Sequence, residues 1–434
     1  MNDNNNYTEY LQDEAYSISP DDDDYTARLE AVAAYFRTPG ELISTFIAEN
    51  GFLGKINDTP SKVGFLKEKF KAAGIPAPRN ISDWFDKDNT YSRETAYKIC
   101  FAFHLNKEQV DNFFRRIYLD RSFDCHNLGE AIYYYCIKNN ESWECAQKLR
   151  EKVGDVPEKE NTTMTLTSKD NVEEISKKNS SVTNVKMHGH QMSVETSVVY
   201  TSTIREILDH ISSDDELIDY LKNNISQFSY HNVTATENIR SIWSRIEGEN
   251  GLAAKEGKLL KDADHANSED EETFTVDTKV SRWNIFSQII NLKEYEYEKY
   301  SKDRSIKKII VSNRVLNSLA ERSFPDREGL DKILSGGNAD YERIRKLLIL
   351  LEFYAFWADK VVTTGYAKET RDRVRDADKC LSLINKYLID SGYPELYYGN
   401  PYDWIFMWAL NSDRPLEEFR YYMGEVLAVA SESN

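Results

Sequence analysis

SKVGFLKEKFKAAGIPAPRNISDWFDKDNTYSRETAYKICFAFHLNKEQVDNFFRRIYLDR, residues 61–121, is the stretch whose reading decides the fold. Phe65, Leu66, Phe70 and Ala73 predict a helix over 62–73, ended by Gly74 with Pro76 soon after. A short helix is predicted over 78–85, exposing Arg79, Asn80, Ser82 and Asp83. Ser92 can cap the next helix, with Glu94 in its first turn, where the helix dipole favours a carboxylate. Ala96, Ile99, Cys100 and Phe103 give that helix an apolar stripe at the i, i+3, i+4, i+7 spacing. Asn106 with Gln109 reads as a capping box ahead of Val110, Phe113, Phe114 and Ile117.

The same grammar extends outward. Helix signals run from about residue 25 to 153 and return at 203–211, 214–225, 235–246 and 252–260. The most apolar helix is centred on 344–357, where Ile344, Leu347, Leu348 and Leu351 share a face and the other faces are apolar too. Residues 1–24 hold eight acidic side chains and no Lys or Arg, and read as a disordered acidic tail. Residues 154–200 are rich in Ser, Thr, Asn and Lys and read as a polar linker, with short extended segments at 164–166 and 194–200. Residues 262–282 read as a second, acidic linker. The expected fold is mainly α: a helical domain over 25–153, a helical segment over 201–261 and a larger C-terminal helical domain over 283–434.

The 434 residues include 27 Tyr, 19 Phe and 7 Trp, enough apolar surface for a sizeable core. Ten Pro and 18 Gly are few for an all-β chain with many tight turns. The net charge of −18 disfavours long-range attraction to nucleic acid or anionic membranes, yet it is uneven. Residues 61–121 carry twelve Lys/Arg against eight Asp/Glu, and residues 302–346 carry eleven against seven. The odd count of five cysteines suits a reducing compartment. With no leader-like N-terminus and no apolar run long enough to span a bilayer, a cytoplasmic chain without membrane contact is expected.

The arrangement over residues 41–121 resembles the lambda-repressor-like (Xre-type) helix-turn-helix family. In this resemblance 41–50 supply the first helix, 62–73 the second, Gly74-Ile75 the turn and 78–85 the recognition helix, with Ile-Ser-Asp-Trp at 81–84. It implies a module docking on double-stranded DNA, with Arg79, Asn80 and Ser82 at base edges and Lys87 and Arg93 beside phosphates. Asp83, Asp86 and Asp88 lie close to that surface, so an alternative stays open: a degenerate helix-turn-helix in a protein-interaction or scaffold component, such as one of a defence or toxin–antitoxin-like system.

The C-terminal stretch GYPELYYGNPYDWIFMWALNSDRPLEEFRYYMGEVL, residues 392–427, resembles accessory proteins of bacterial mobile elements. Its Tyr397, Tyr398, Tyr402 and Trp404 are candidate contacts for a protein partner or a second copy of the chain. Lys302–Lys308 with Arg343, Arg345 and Lys346 could face nucleic acid or an acidic partner, or pack as a solvated helix face. Cys125, His126, Cys136 and Cys145 lack the close Cys pairs of structural zinc sites, and His188 and His190 lie in the polar linker, so no metal is expected. LSGGN at 334–338 reads as a turn between helices. With no phosphate-binding Gly loop, nucleophile elbow or His-Glu-x-x-His, the chain is expected to be no enzyme and to carry no cofactor.

Overall fold

The computed structural model describes residues 3–19, 22–87, 89–154, 164–167, 196–199, 201–225, 228, 233–267, 281–290, 325, 327–337, 339–364 and 372–420. The described chain is mainly α-helical. It divides into two compact units, residues 37–234 with 389–394, and residues 2–36 with 235–388 and 395–434.

In the first unit, α3 (Pro39–Glu49) opens on a capping box. The Glu41 amide donates to Thr38 Oγ1 at 3.1 Å and the Thr38 amide to Glu41 Oε2 at 2.6 Å. α4 (Thr59–Ala72) starts at Asp58 and ends where Gly74, at φ +69°, turns the chain and Ile75 N donates back to Phe70 O at 2.9 Å. α5 (Ile81–Asp86) follows, then α6 (Arg93–Ala102), capped by Ser92. α7 (Lys107–Phe113) opens on the Asn106–Gln109 capping box and widens into a π-helical turn, Phe114–Tyr118. α8 (Leu128–Lys138) and α9 (Trp143–Val153) form a hairpin. Phe46 lies between Phe103 and Phe113, with ring centroids 4.9 and 4.8 Å away, joining α3 to the ends of α6 and α7.

Strands β1 (Met164–Thr167) and β2 (Thr196–Val199) pair in parallel, Met164 opposite Thr196. The rest of the polar linker lies outside the described residues. α10 (Thr201–His210) and α11 (Asp214–Asn223) complete the unit. Lys138 Nζ caps the C-terminal end of α10 by donating to the carbonyls of Leu208, Asp209 and Ile211 at 2.8, 3.1 and 2.7 Å. Tyr134 and Tyr135 hydroxyls donate to Asp209 and Asp214 at 2.6 and 3.0 Å. These bonds draw α10 and α11 into the N-terminal unit, although the sequence sets the 201–261 segment apart behind a linker.

The second unit holds α12 (Val233–Ile246), α13 (Leu252–Asn267), α14 (Arg282–Ile289), α15 (Arg327–Leu334), α16 (Tyr341–Thr364), α17 (Arg373–Asp390) and α18 (Pro401–Ala409). α16 is the core helix, buried without a break from Ile344 to Ala355. α13 runs to Asn267, so the first residues of the expected acidic linker are helical; 268–280 lie outside the described residues. Residues 334–337 form the expected turn, with Gly336 at φ +85°.

The expected acidic tail is also corrected. Residues Asp3–Ser17 form helix α1, followed by α2 (Tyr25–Tyr35), and both belong to the second unit. Tyr7, Leu11, Ala15 and Ile18 form a buried stripe that the acidic composition conceals. Trp404 Nε1 donates to Leu11 O at 2.7 Å, and Trp408 Nε1 to Ile18 O at 3.0 Å. Burying side chains such as Leu11 is worth about 2 kcal/mol each, which offsets the repulsion of acids that stay on the outer face.

Candidate nucleic-acid interface

Ile81 and Trp84 are fully buried and fasten α5 onto the core that includes Ile43, Ile47, Leu66 and Phe70 of α3 and α4. Trp84 packs on Tyr91, with centroids 4.8 Å apart. The helix is shorter than the sequence predicts. Pro76 and Pro78 bias the residues before them to extended backbone, so the helix begins at Ile81 rather than at 78. Arg79 and Asn80 therefore sit on the exposed turn leading into α5; Ser82 is half-buried, and Asp86 and Lys87 are exposed.

The charges around this edge are partly spoken for. Lys87 Nζ lies 3.1 Å from Asp83 Oδ1, one turn back on α5. Lys62 is buried, donating to Ser44 Oγ at 2.9 Å with its ammonium 4.3 Å from the Phe85 ring centroid. Lys67 and Lys71 of α4 are exposed and one helical turn apart. The sequence reading passed over this pair, although the i, i+4 spacing within the basic stretch could have found it.

Arg93 is not on that edge. Its guanidinium is drawn inward to Glu130 of α8, with Nε donating to Oε1 at 2.7 Å and Nη2 to Oε2 at 2.8 Å. It also donates to Asp120 Oδ2 at 3.1 Å and to the carbonyls of Arg121 and Ser122 at 2.7 and 3.0 Å. Burial works against the charge, but Glu130, Tyr97 and Asp120 outweigh it and hold the Arg93 pKa well above its ordinary value. The expected phosphate contact is thus a structural ion pair. The sequence placed Arg93 in the first turn of a helix but gave no sign that Glu130, inside an apolar run, faces it.

The loop between the π-helical turn and α8 is buried along residues 121–126, Arg-Ser-Phe-Asp-Cys-His. Glu130 Oε2 accepts from the Asp124 amide at 2.7 Å and from the Tyr97 hydroxyl at 2.8 Å. Arg205 of α10 donates to Phe123 O at 2.9 Å, and the Arg121 guanidinium lies 4.9 Å from the Tyr393 ring centroid. Burial pushes the Cys125 thiol up to about 11. Such a buried polar loop holds its neighbours in place and offers no surface to a ligand.

Of the expected partner contacts, Tyr402 and Trp404 are wholly buried in the second unit. The Tyr402 hydroxyl donates to Lys346 O at 2.7 Å, and the Trp404 indole is held by Leu11. Tyr397 and Tyr398 are half-buried and Tyr16 is exposed; burial first and the neighbouring Tyr16 hydroxyl second raise the Tyr398 pKa above its ordinary value. Arg345, expected on a basic face, is buried instead and grips Asp403 with two bonds of 2.6 and 2.7 Å. Lys302–Lys308 lies outside the described residues. A cleft of about 740 Å³ in the same unit is lined by Tyr16, Arg373, Trp408 and Arg414, with Glu417 3.1 Å from Arg414.

Among the described residues, no helix is long and apolar enough to cross a membrane, and no group of three or more His, Cys, Asp or Glu is placed to hold a metal ion. Comparison of the chain with protein-family models, with curated proteins and with solved structures gives no match in any of the three.

Proposed function

We propose that the protein is a cytoplasmic regulatory protein whose helices α3–α7 form a helix-turn-helix-type module for double-stranded DNA, with the second unit serving a protein partner or self-association. The observation that carries the reading is the seating of α5. Its apolar residues Ile81 and Trp84 are spent on the core, which leaves Arg79 and Asn80 outward at its N-terminal edge and Lys87 outward at its end. Arg79 and Asn80 are residue types that read purine edges, and Lys67, Lys71 and Lys87 are types that neutralise phosphates. A partner surface on the second unit would use Tyr397, Tyr398 and Tyr16, since Tyr402 and Trp404 are buried.

The test is a fluorescence-anisotropy titration of the full chain with pooled genomic DNA fragments at two salt concentrations. Binding should weaken steeply with salt; Lys87→Ala should lower the salt slope by about one, and Arg79→Ala should weaken binding and relax its sequence preference. No binding at low salt overturns the reading.

A protein-contact role for the same module is favoured by one observation. Leu53, in the loop between α3 and α4, is 99% exposed, and Ile56 beside it is exposed as well. Under that reading DNA has no effect and Leu53→Ser, rather than Arg79→Ala, impairs the module.

A further inference from the structure

The cleft of about 740 Å³ in the second unit has the size of a small-molecule site. Its walls are the end of α1, the end of α18 with the turn 411–414 behind it, and the first residue of α17. Two side chains fix α1 to α18. The Trp408 indole donates to Ile18 O at 3.0 Å, and Asn411 Nδ2 donates to Ala15 O at 3.3 Å and to Met407 O at 2.9 Å. The shape of the cleft is thus set by the fold, so little ordering is left to oppose binding.

The charges inside sort into used and unused. Two arginines and three carboxylates line the cleft. Glu417 pairs with Arg414 at 3.1 Å. Glu418 accepts from the Ser412 hydroxyl at 2.9 Å, and Ser412 Oγ in turn accepts from the Arg414 amide at 2.9 Å. Arg373 and Asp413 remain. Both are exposed, and neither side chain has a hydrogen bond or ion pair among the described residues. Asp372, the acid beside Arg373 in sequence, is taken by Arg375 at 3.6 Å. The excess of carboxylates makes the cleft a poor site for phosphate or another simple anion, and the arginines make it a poor site for a simple cation. A ligand with one charge of each sign satisfies both unused groups.

We propose that this cleft binds an amino-acid zwitterion, either a free α-amino acid or a short peptide. The ligand carboxylate takes two bonds from the Arg373 guanidinium, whose planar fork matches it. The ligand ammonium donates to Asp413, and its side chain lies against the ring of Tyr16, which is 59% exposed. The assignment concerns the second unit alone and holds whether or not the first unit binds DNA.

The test is saturation-transfer NMR of the full chain with the standard L-amino acids and with tri-alanine, followed by calorimetric titration of each binder. Binding by a free amino acid or by tri-alanine is expected, and which of them binds tells the two sources of the zwitterion apart. Arg373→Gln and Asp413→Asn should each weaken that binding about tenfold or more. Amidating the ligand carboxylate or acetylating its amine should do the same to the wild-type chain. Amidation should cost nothing further in Arg373→Gln, a coupling that damage to the fold does not produce. Both positions are exposed, and circular dichroism checks that each variant keeps its helix content. No binding by either kind of ligand, or binding that survives Arg373→Gln or Asp413→Asn, overturns the inference. Inorganic phosphate bound as tightly as the zwitterion overturns it too.

Discussion

Glu130 and Glu352 are both carboxylates buried on helices and both meet an arginine, yet their surroundings differ. Glu130 receives two bonds from Arg93, one from the Tyr97 hydroxyl and one from the Asp124 amide, so both of its oxygens are satisfied. Glu352 sits in the middle of the apolar helix α16 with its side chain 2% exposed. Its one hydrogen-bond partner among the described residues is Arg245 at 2.6 Å, and that side chain is 48% exposed. Burial pushes the Glu352 carboxyl up to about 7, even though Arg245 pulls it down. The number of donors aimed at a buried carboxylate, more than the presence of one arginine, decides whether it is built as a fixed ion pair or left poised to titrate.

The largest expected effect breaks the better-satisfied site. Glu130→Ala leaves the half-buried Arg93 without its main counter-charge and strips the Tyr97 hydroxyl and the Asp124 amide of an acceptor. Removing one partner of such a pair costs about 3–5 kcal/mol, and urea unfolding should register it. A loss below about 1 kcal/mol would mean that the network is no better than a surface pair. Arg93→Ala should destabilise to a similar extent, so lost DNA binding in that variant would report on the fold and not on a phosphate contact.

Glu352→Gln sharpens the other half of the comparison. Between the ordinary carboxylate value of 4.5 and about 7, the folded chain keeps a proton on Glu352 that the unfolded chain has released. The unfolded state then binds fewer protons, so this group's contribution to stability is complete at low pH and falls as pH rises through that window. Glutamine removes the fall. The variant should gain on the order of 2–3 kcal/mol over wild type at pH 8 relative to pH 4, read from urea midpoints at the two values. Parallel pH profiles for the two proteins would show that Glu352 does not titrate there. Cys380 also faces this carboxylate and is pushed well up by burial first and the Glu352 charge second, so it should stay a thiol throughout.

How much of this was legible in the sequence depends on how local each interaction is. The caps at Ser92 and Asn106, the Gly74 stop and the buried helix around Ile344–Leu351 were all readable, because each is set within one or two turns of chain. α1 was missed because its stripe of Tyr7, Leu11, Ala15 and Ile18 is dispersed among acids, and its partners Trp404 and Trp408 are almost 400 residues away. The site readings suffered in the same way. Arg93 and Trp404 have side chains typical of interfaces, and only contacts distant in sequence, with Glu130 and Leu11, show that they face inward. The sequence also expects Arg79, Asn80, Ser82 and Asp83 on the exposed face of a short helix; Arg79 and Asn80 are exposed, whereas Ser82 and Asp83 are half-buried.

The smallest effect comes from the pair that neither buried site resembles. Lys87 and Asp83 are 64% and 32% exposed and lie 3.1 Å apart on α5. Water screens the attraction, and two mobile side chains must be held to make it, so Lys87→Ala should change stability by less than about 0.5 kcal/mol. That near-neutrality makes the variant informative. Because the fold is expected to be untouched, a drop in DNA affinity and salt slope would have to come from a lost phosphate contact. Loss of α5 structure could not explain it. If urea unfolding instead shows a cost near that of Glu130→Ala, then Lys87 is tied into the module more tightly than its exposure suggests. Anisotropy data from the variant would then say nothing about where DNA lies.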